Sequence, residues 1–151
     1  MFGSLELQLC DIQGRLFKNS LKEGLDSERF INLYMRSKCA AEYDMPHNRL
    51  QWMGEEYILE EFMDEAGHKL IKGVQYSEDA MFWIGYTHRY WHFLTGESSK
   101  KISSQAPAVV MKWGYPGLHT IDMALAIEDL KEMAKEPRFR RRKGADRKAP
   151  V

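Results

Sequence analysis

A chain of 151 residues with 44% hydrophobic and 12% aromatic content is long enough to bury one core, and that composition excludes a largely disordered polymer. No apolar run reaches the roughly 18–20 residues that a membrane-spanning helix needs, so no membrane association is expected. The formal net charge of zero hides a split: seven bases and one acid lie in residues 137–151, leaving 15 bases against 21 acids in residues 1–136.

The periodicity predicts an all-α chain, read in order as follows. Leu5, Leu9, Ile12 and Leu16 fall at helical spacing over about 5–23, widened by Cys10, Phe17 and Leu21, and Gly24 suits the position after the helix. Asp26-Ser27 offers the cap of a second helix over about 27–43, whose apolar positions include Phe30, Ile31 and Tyr34; Asp44-Met45-Pro46 breaks it. A third helix is predicted over about 48–66. Leu50, Met53, Ile58 and Phe62 mark its apolar side, and Glu55, Glu56, Glu60, Glu61, Asp64 and Glu65 its acidic side.

Ser77 caps a fourth helix over 78–94, apolar nearly all round through Ala80, Met81, Phe82, Trp83, Ile84, Tyr86, Tyr90, Trp91, Phe93 and Leu94. A helix apolar on every side belongs in the middle of a fold. Gly85 would let one neighbour approach closely. Thr95-Gly96 ends it, Ser98 caps a short helix to about 105, and Pro107 opens another short helical piece through Trp113. Gly114-Tyr115-Pro116-Gly117 reads as a loop, with a short extended piece near 117–120. Thr120 caps a last helix, about 121–135, with Met123, Ile127, Leu130 and Ala134 as its seam, and Pro137 ends regular structure. The expected fold is a compact bundle of about five to seven helices around the aromatic-rich helix 78–94. It forms a single domain over 1–136 with a basic, disordered tail over 137–151.

Few residues point to catalysis. His88 and His92 stand four apart and could share a metal, but a third ligand would have to come from Glu78, Asp79 or His119. Glu65 and His68 match one half of a di-iron motif that needs two copies. Cys10 and Cys39 lie on apolar faces, where buried reduced thiols are expected. No nucleophile elbow or phosphate loop occurs. No metal, cofactor or catalytic residue is expected, and the enzyme class is disfavoured. The first residues lack the basic and apolar regions of a secretory signal, so a cytoplasmic location is expected.

Two kinds of binding surface are legible. The acidic side of the third helix (Glu55, Glu56, Glu60, Asp64) would meet a basic protein partner, with Trp52, Trp113 and Tyr115 as candidate interface aromatics. The plainer reading of Trp52 and Trp113 is that both belong to the core. Alternatively, Gly96 sits where a helix-turn-helix has its turn. Ser99, Lys100 and Lys101 would then face nucleic acid, helped by Arg138, Arg140, Arg141 and Arg142 of the tail. Against this, the candidate reader helix is only about eight residues long and the body is acidic, which weakens phosphate binding.

Tyr90-Trp91 through Leu94-Thr95-Gly96-Glu97-Ser98-Ser99, the segment Leu118-His119-Thr120, and Ile127-Glu128-Asp129-Leu130 together resemble a group of small uncharacterised bacterial proteins. In that group an aromatic helix, a Ser/Thr-Gly turn, a second helix and a Leu-His-Thr segment precede an Ile-x-Asp helix. The resemblance spans roughly 76–132. Upstream, Gln51-Trp52-Met53-Gly54-Glu55-Glu56-Tyr57-Ile58-Leu59 looks like a longer version of the same kind of protein, and the arginine-rich tail lies outside the pattern. Members are often encoded beside an ADP-ribosyltransferase-like toxin. The resemblance therefore implies an antitoxin-like or phage-defence accessory role, exercised by binding a partner protein such as a toxin. Neither reading specifies the oligomeric state.

Overall fold

The computed structural model describes residues 2–140, and these form an all-α bundle. Helix α1 (Ser4–Asn19) continues as a 3-10 turn to Glu23, and Gly24 closes it at φ 71°, a left-handed conformation natural to glycine. The expected second helix is two. Helix α2 (Ser27–Met35) ends at Arg36, and α3 (Lys38–Asp44) starts anew because Ser37 turns its hydroxyl onto the amide of Ala40, 3.0 Å away. The expected third helix is likewise divided into a 3-10 turn, Arg49–Trp52, and α4 (Glu55–Ala66), with Gly54 at the cap between them.

Helix α5 (Glu78–Thr95) runs one residue past the predicted 78–94, capped by Ser77 and closed by Gly96 at φ 78°. It packs most extensively on α1 and also meets the three helices that follow it: α6 (Ser99–Gln105), α7 (Ala108–Leu118) and α8 (Met123–Ala134). The α1–α5 crossing is close because each helix brings a glycine to it. A Cβ on Gly85 would lie 2.5 Å from the carbonyl oxygen of Gln13, and one on Gly14 would lie 2.8 Å from the ring of Phe82. At the base of this crossing Phe17, Phe30, Tyr34 and Phe62 meet edge to face, with ring centroids 5.2–5.5 Å apart.

Four expectations fail towards the C-terminus. Gly114-Tyr115-Pro116-Gly117 is helical, forming the last turns of α7. Pro116 removes one amide from the ladder near a helix end, where few bonds depend on it. Gly114 is held there by packing, since a Cβ at that position would lie 2.7 Å from Leu130 of α8. No extended piece forms over 117–120, and α8 is capped by Asp122, whose carboxylate accepts from the amides of Ala124 and Leu125, rather than by Thr120. Nor does regular structure stop at Pro137: residues 137–140 make a helical turn, and Phe139 is buried against the core. The rest of the expected tail, including Arg141 and Arg142, lies outside the described residues.

A single isolated antiparallel bridge, Leu25–Lys72, occurs among the described residues. It belongs to a docked loop in which Asp26 and Ser27 donate their amides to the carbonyls of Ile71 and Val74 at 2.8 and 2.9 Å. No described helix is long and apolar enough to cross a membrane.

Candidate functional site

The central helix carries one full charge into the core. Arg89 is buried on α5, and each of its guanidinium nitrogens has a partner. Nε donates to the Gln13 side chain at 3.0 Å, Nη1 to Asp44 at 2.7 Å and Nη2 to the Ser99 hydroxyl at 3.2 Å, while Cζ lies 4.5 Å from the ring centre of Tyr43. Asp44, the last residue of α3, is the hub. Its two oxygens also accept the Ser99 hydroxyl at 2.7 Å and the Ser99 amide at 2.8 Å. A carboxylate from α3 thus sits on the first turn of α6, opposite a guanidinium from α5, and α1 supplies Gln13. A buried charge persists only when paired and hydrogen-bonded, and this one is.

Asp44 also lines a groove of about 470 Å³. One wall comes from the start of α1 (Leu5, Glu6, Leu9), the other from Pro46, His47, Gln51 and Trp52, and the floor from Asp44, His92, Phe93 and Gly96. Trp52 stands at its edge with 74% of its surface exposed. His47 has φ 67°, the one non-glycine residue in a left-handed conformation among the described residues. Such backbone strain recurs beside functional surfaces.

His92 is half-used. Its Nδ1 lies 2.7 Å from the carbonyl oxygen of Glu97, which fixes that nitrogen as the donor and leaves Nε2 as an acceptor. Burial, reinforced by the charge of Arg89, holds its pKa below the ordinary histidine value, so the ring is neutral in neutral solution. The side chain of Gln51 donates to the carbonyl of Tyr43, leaving its oxygen free to accept.

The predicted site residues divide in a way the sequence does not show. Of the acidic side of α4, three carboxylates serve the fold: Glu55 pairs with Arg15 at 3.3 Å, Glu61 takes both oxygens to Arg49 at 3.0 Å, and Glu65 accepts the first amides of α3 at 2.8 and 3.0 Å. Glu56, Glu60 and Asp64 remain exposed, each four residues from the next. They line a second groove with Asn19, Lys22 and Glu23 at the far end of α1. Both grooves therefore run along one seam, between α1 and the 49–66 segment, with the Arg15–Glu55 pair between them in chain order.

Trp113 is 57% exposed, so neither it nor Trp52 is a core residue. Tyr115 is half-buried, its ring 4.5 Å from His119 and 5.7 Å from Trp83. Trp113 carries Arg138 over its ring at 5.1 Å.

Ser99 cannot read a base edge as folded, because it is buried with its hydroxyl and amide both committed to Asp44. Lys101 pairs with Glu97 at 3.6 Å, while Lys100 and Arg140 are exposed. Glu97 also accepts from the Trp91 indole at 3.0 Å and from Gln105 at 3.1 Å. The corner after α5 is thereby tied at both ends and serves architecture. The two histidines of α5 diverge in their contacts: His88 reaches the carbonyl of Ala106 at 3.0 Å, and His92 that of Glu97.

No family model matches the chain, and neither a curated protein nor a solved structure matches it significantly.

Proposed function

We propose that this chain works by binding another protein along the seam between α1 and the 49–66 segment. The groove under Trp52 takes the partner's anchoring side chain, and the exposed stripe Glu56-Glu60-Asp64 steers a basic surface towards it. The observation that carries this reading is the exposure of Trp52 beside an apolar groove. What sets Trp52 apart from the other exposed apolar side chains is the apolar groove beside it, and tryptophan is among the residues enriched at binding hot spots. Complementary charge chiefly speeds encounter, which suits carboxylates that the fold itself does not use. The family resemblance would make the partner a toxin and the chain its antitoxin-like companion. The nucleic-acid alternative has less to support it, because the Asp44 carboxylate occupies the first turn of α6.

The test is capture of the partner by the full chain, repeated with Trp52→Ala and with Glu56→Lys/Glu60→Lys. Loss of affinity for Trp52→Ala of 10-fold or more, with unchanged circular dichroism, supports the reading. Wild-type affinity in both variants refutes it.

A further inference from the structure

The chemistry of the groove narrows what can fill it, an inference that rests on the partner-binding reading above. Its walls are apolar where Leu5, Leu9 and Phe93 face it, and its acceptors come from Glu6, Gln51 and His92, beside the donor-bearing side chains of Trp52 and His47. Glu6 contributes a carboxylate, with one oxygen holding the amide of Gly3 at 2.9 Å. Gln51 has its amide nitrogen committed to Tyr43 and its oxygen left over, and His92 has Nδ1 committed to Glu97 and Nε2 left over. No lysine or arginine lines the groove, and the buried Arg89 donates through each of its guanidinium nitrogens to Gln13, Asp44 and Ser99. A lining with one carboxylate, two further acceptors, no lysine or arginine and an open indole face is complementary to a cation with several donors on an apolar stem.

We propose that the groove recognises an arginine side chain of the partner protein, its methylene stem against Leu5, Leu9 and Phe93 and its guanidinium against Trp52, Glu6 and His92. Arginine fits better than lysine. A planar fork can stack on the indole and still donate at its edge, whereas an ammonium is a compact, strongly hydrated charge. The acidic stripe further along the seam favours a partner whose flanking surface is also basic.

The probe is N-benzoyl-arginine amide, titrated into the full-length chain and followed by 1H–15N chemical shifts. N-benzoyl-citrulline amide, the neutral isostere, is the comparison. Saturable shifts are expected at the amides of Leu5 and Gly96 and at the Trp52 indole, with at least a 10-fold weaker response to the citrulline probe. Glu6→Gln, which keeps the hydrogen bond to Gly3 within reach, should weaken the arginine probe about 5-fold. Equal affinities for the two probes, or arginine-induced shifts confined to the Glu56-Glu60-Asp64 stripe, would overturn the proposal. Partner capture separates the two failures. Capture that needs Trp52 while the probes bind equally removes the arginine and leaves the docking surface standing; capture indifferent to Trp52 removes the docking surface itself.

Discussion

Truncating Asp44 to alanine would strand the guanidinium of Arg89 in the core. The guanidinium would keep Gln13 and the face of Tyr43 but lose the carboxylate 2.7 Å from Nη1, and the amide and hydroxyl of Ser99 would lose their acceptor in the same step. Breaking a buried ion pair from one side costs about 3–5 kcal/mol, because the surviving charge is left unpaired. Against a total stability of about 5–15 kcal/mol that is a fifth or more, equivalent to a fall of roughly 10–15 °C in Tm for a domain of this size. The paired replacement Arg89→Met/Asp44→Leu removes both charges and should be less destabilised than Asp44→Ala alone, since well-packed apolar residues often replace a buried pair at little cost. Urea denaturation followed by far-UV circular dichroism, completed as a double-mutant cycle, measures both terms. An Asp44→Ala cost below about 1 kcal/mol, or a double variant worse than the sum of its singles, would refute the reasoning.

Other outcomes follow from particular side chains. Burial of His88 lowers its pKa from 6.5 to about 4. The unfolded chain therefore takes up the proton first as pH falls, so stability should be full above pH 6.5 and decline below it, by about 2 kcal/mol between pH 6.5 and 5, where few carboxylates yet titrate. His88→Gln should flatten that slope in pH-dependent urea melts, and an unchanged slope would contradict the assignment. Cys10 and Cys39 are buried with thiol pKa values pushed up to about 12, chiefly by desolvation, so both should resist Ellman's reagent in the native state and react on unfolding. Gly85→Ala should destabilise by roughly 1–3 kcal/mol in the same melts despite alanine's better helix propensity, because the new Cβ meets the α1 backbone; a gain in stability would disprove the close crossing.

The helical architecture was largely legible in the sequence. Apolar spacing placed α1 and α5, and Gly24, Ser77, Gly96 and Ser98 marked ends that need only local geometry. What stayed hidden depends on partners distant in sequence. Arg89 looks like one polar residue in an aromatic run, and Asp44 like a helix breaker, because the two stand 45 positions apart and are brought together only by the packing of α3 on α6 and of α6 on α5. Gln13 is farther still, 76 residues from Arg89. The Gly-Tyr-Pro-Gly stretch obeys turn chemistry locally and is overruled by α8, which presses Leu130 into the space left at Gly114. The acidic side of α4 reads as uniform, yet Arg15, Arg49 and the start of α3 claim three of its carboxylates. A signal for Trp52 was present: it stands beside the Leu50/Met53 positions and off the stripe, where a wide side chain has no core to enter.

Chemical-shift footprinting of the labelled full chain with its captured partner tests the seam most directly. Loss or movement of signals should concentrate at Leu5, Trp52, Phe93 and Gly96 and extend to Glu56, Glu60 and Asp64, leaving the exposed residues of α7 and α8 unchanged. A footprint centred on Trp113, Tyr115 and the outer side of α8, with the Trp52 indole undisturbed, would contradict the account.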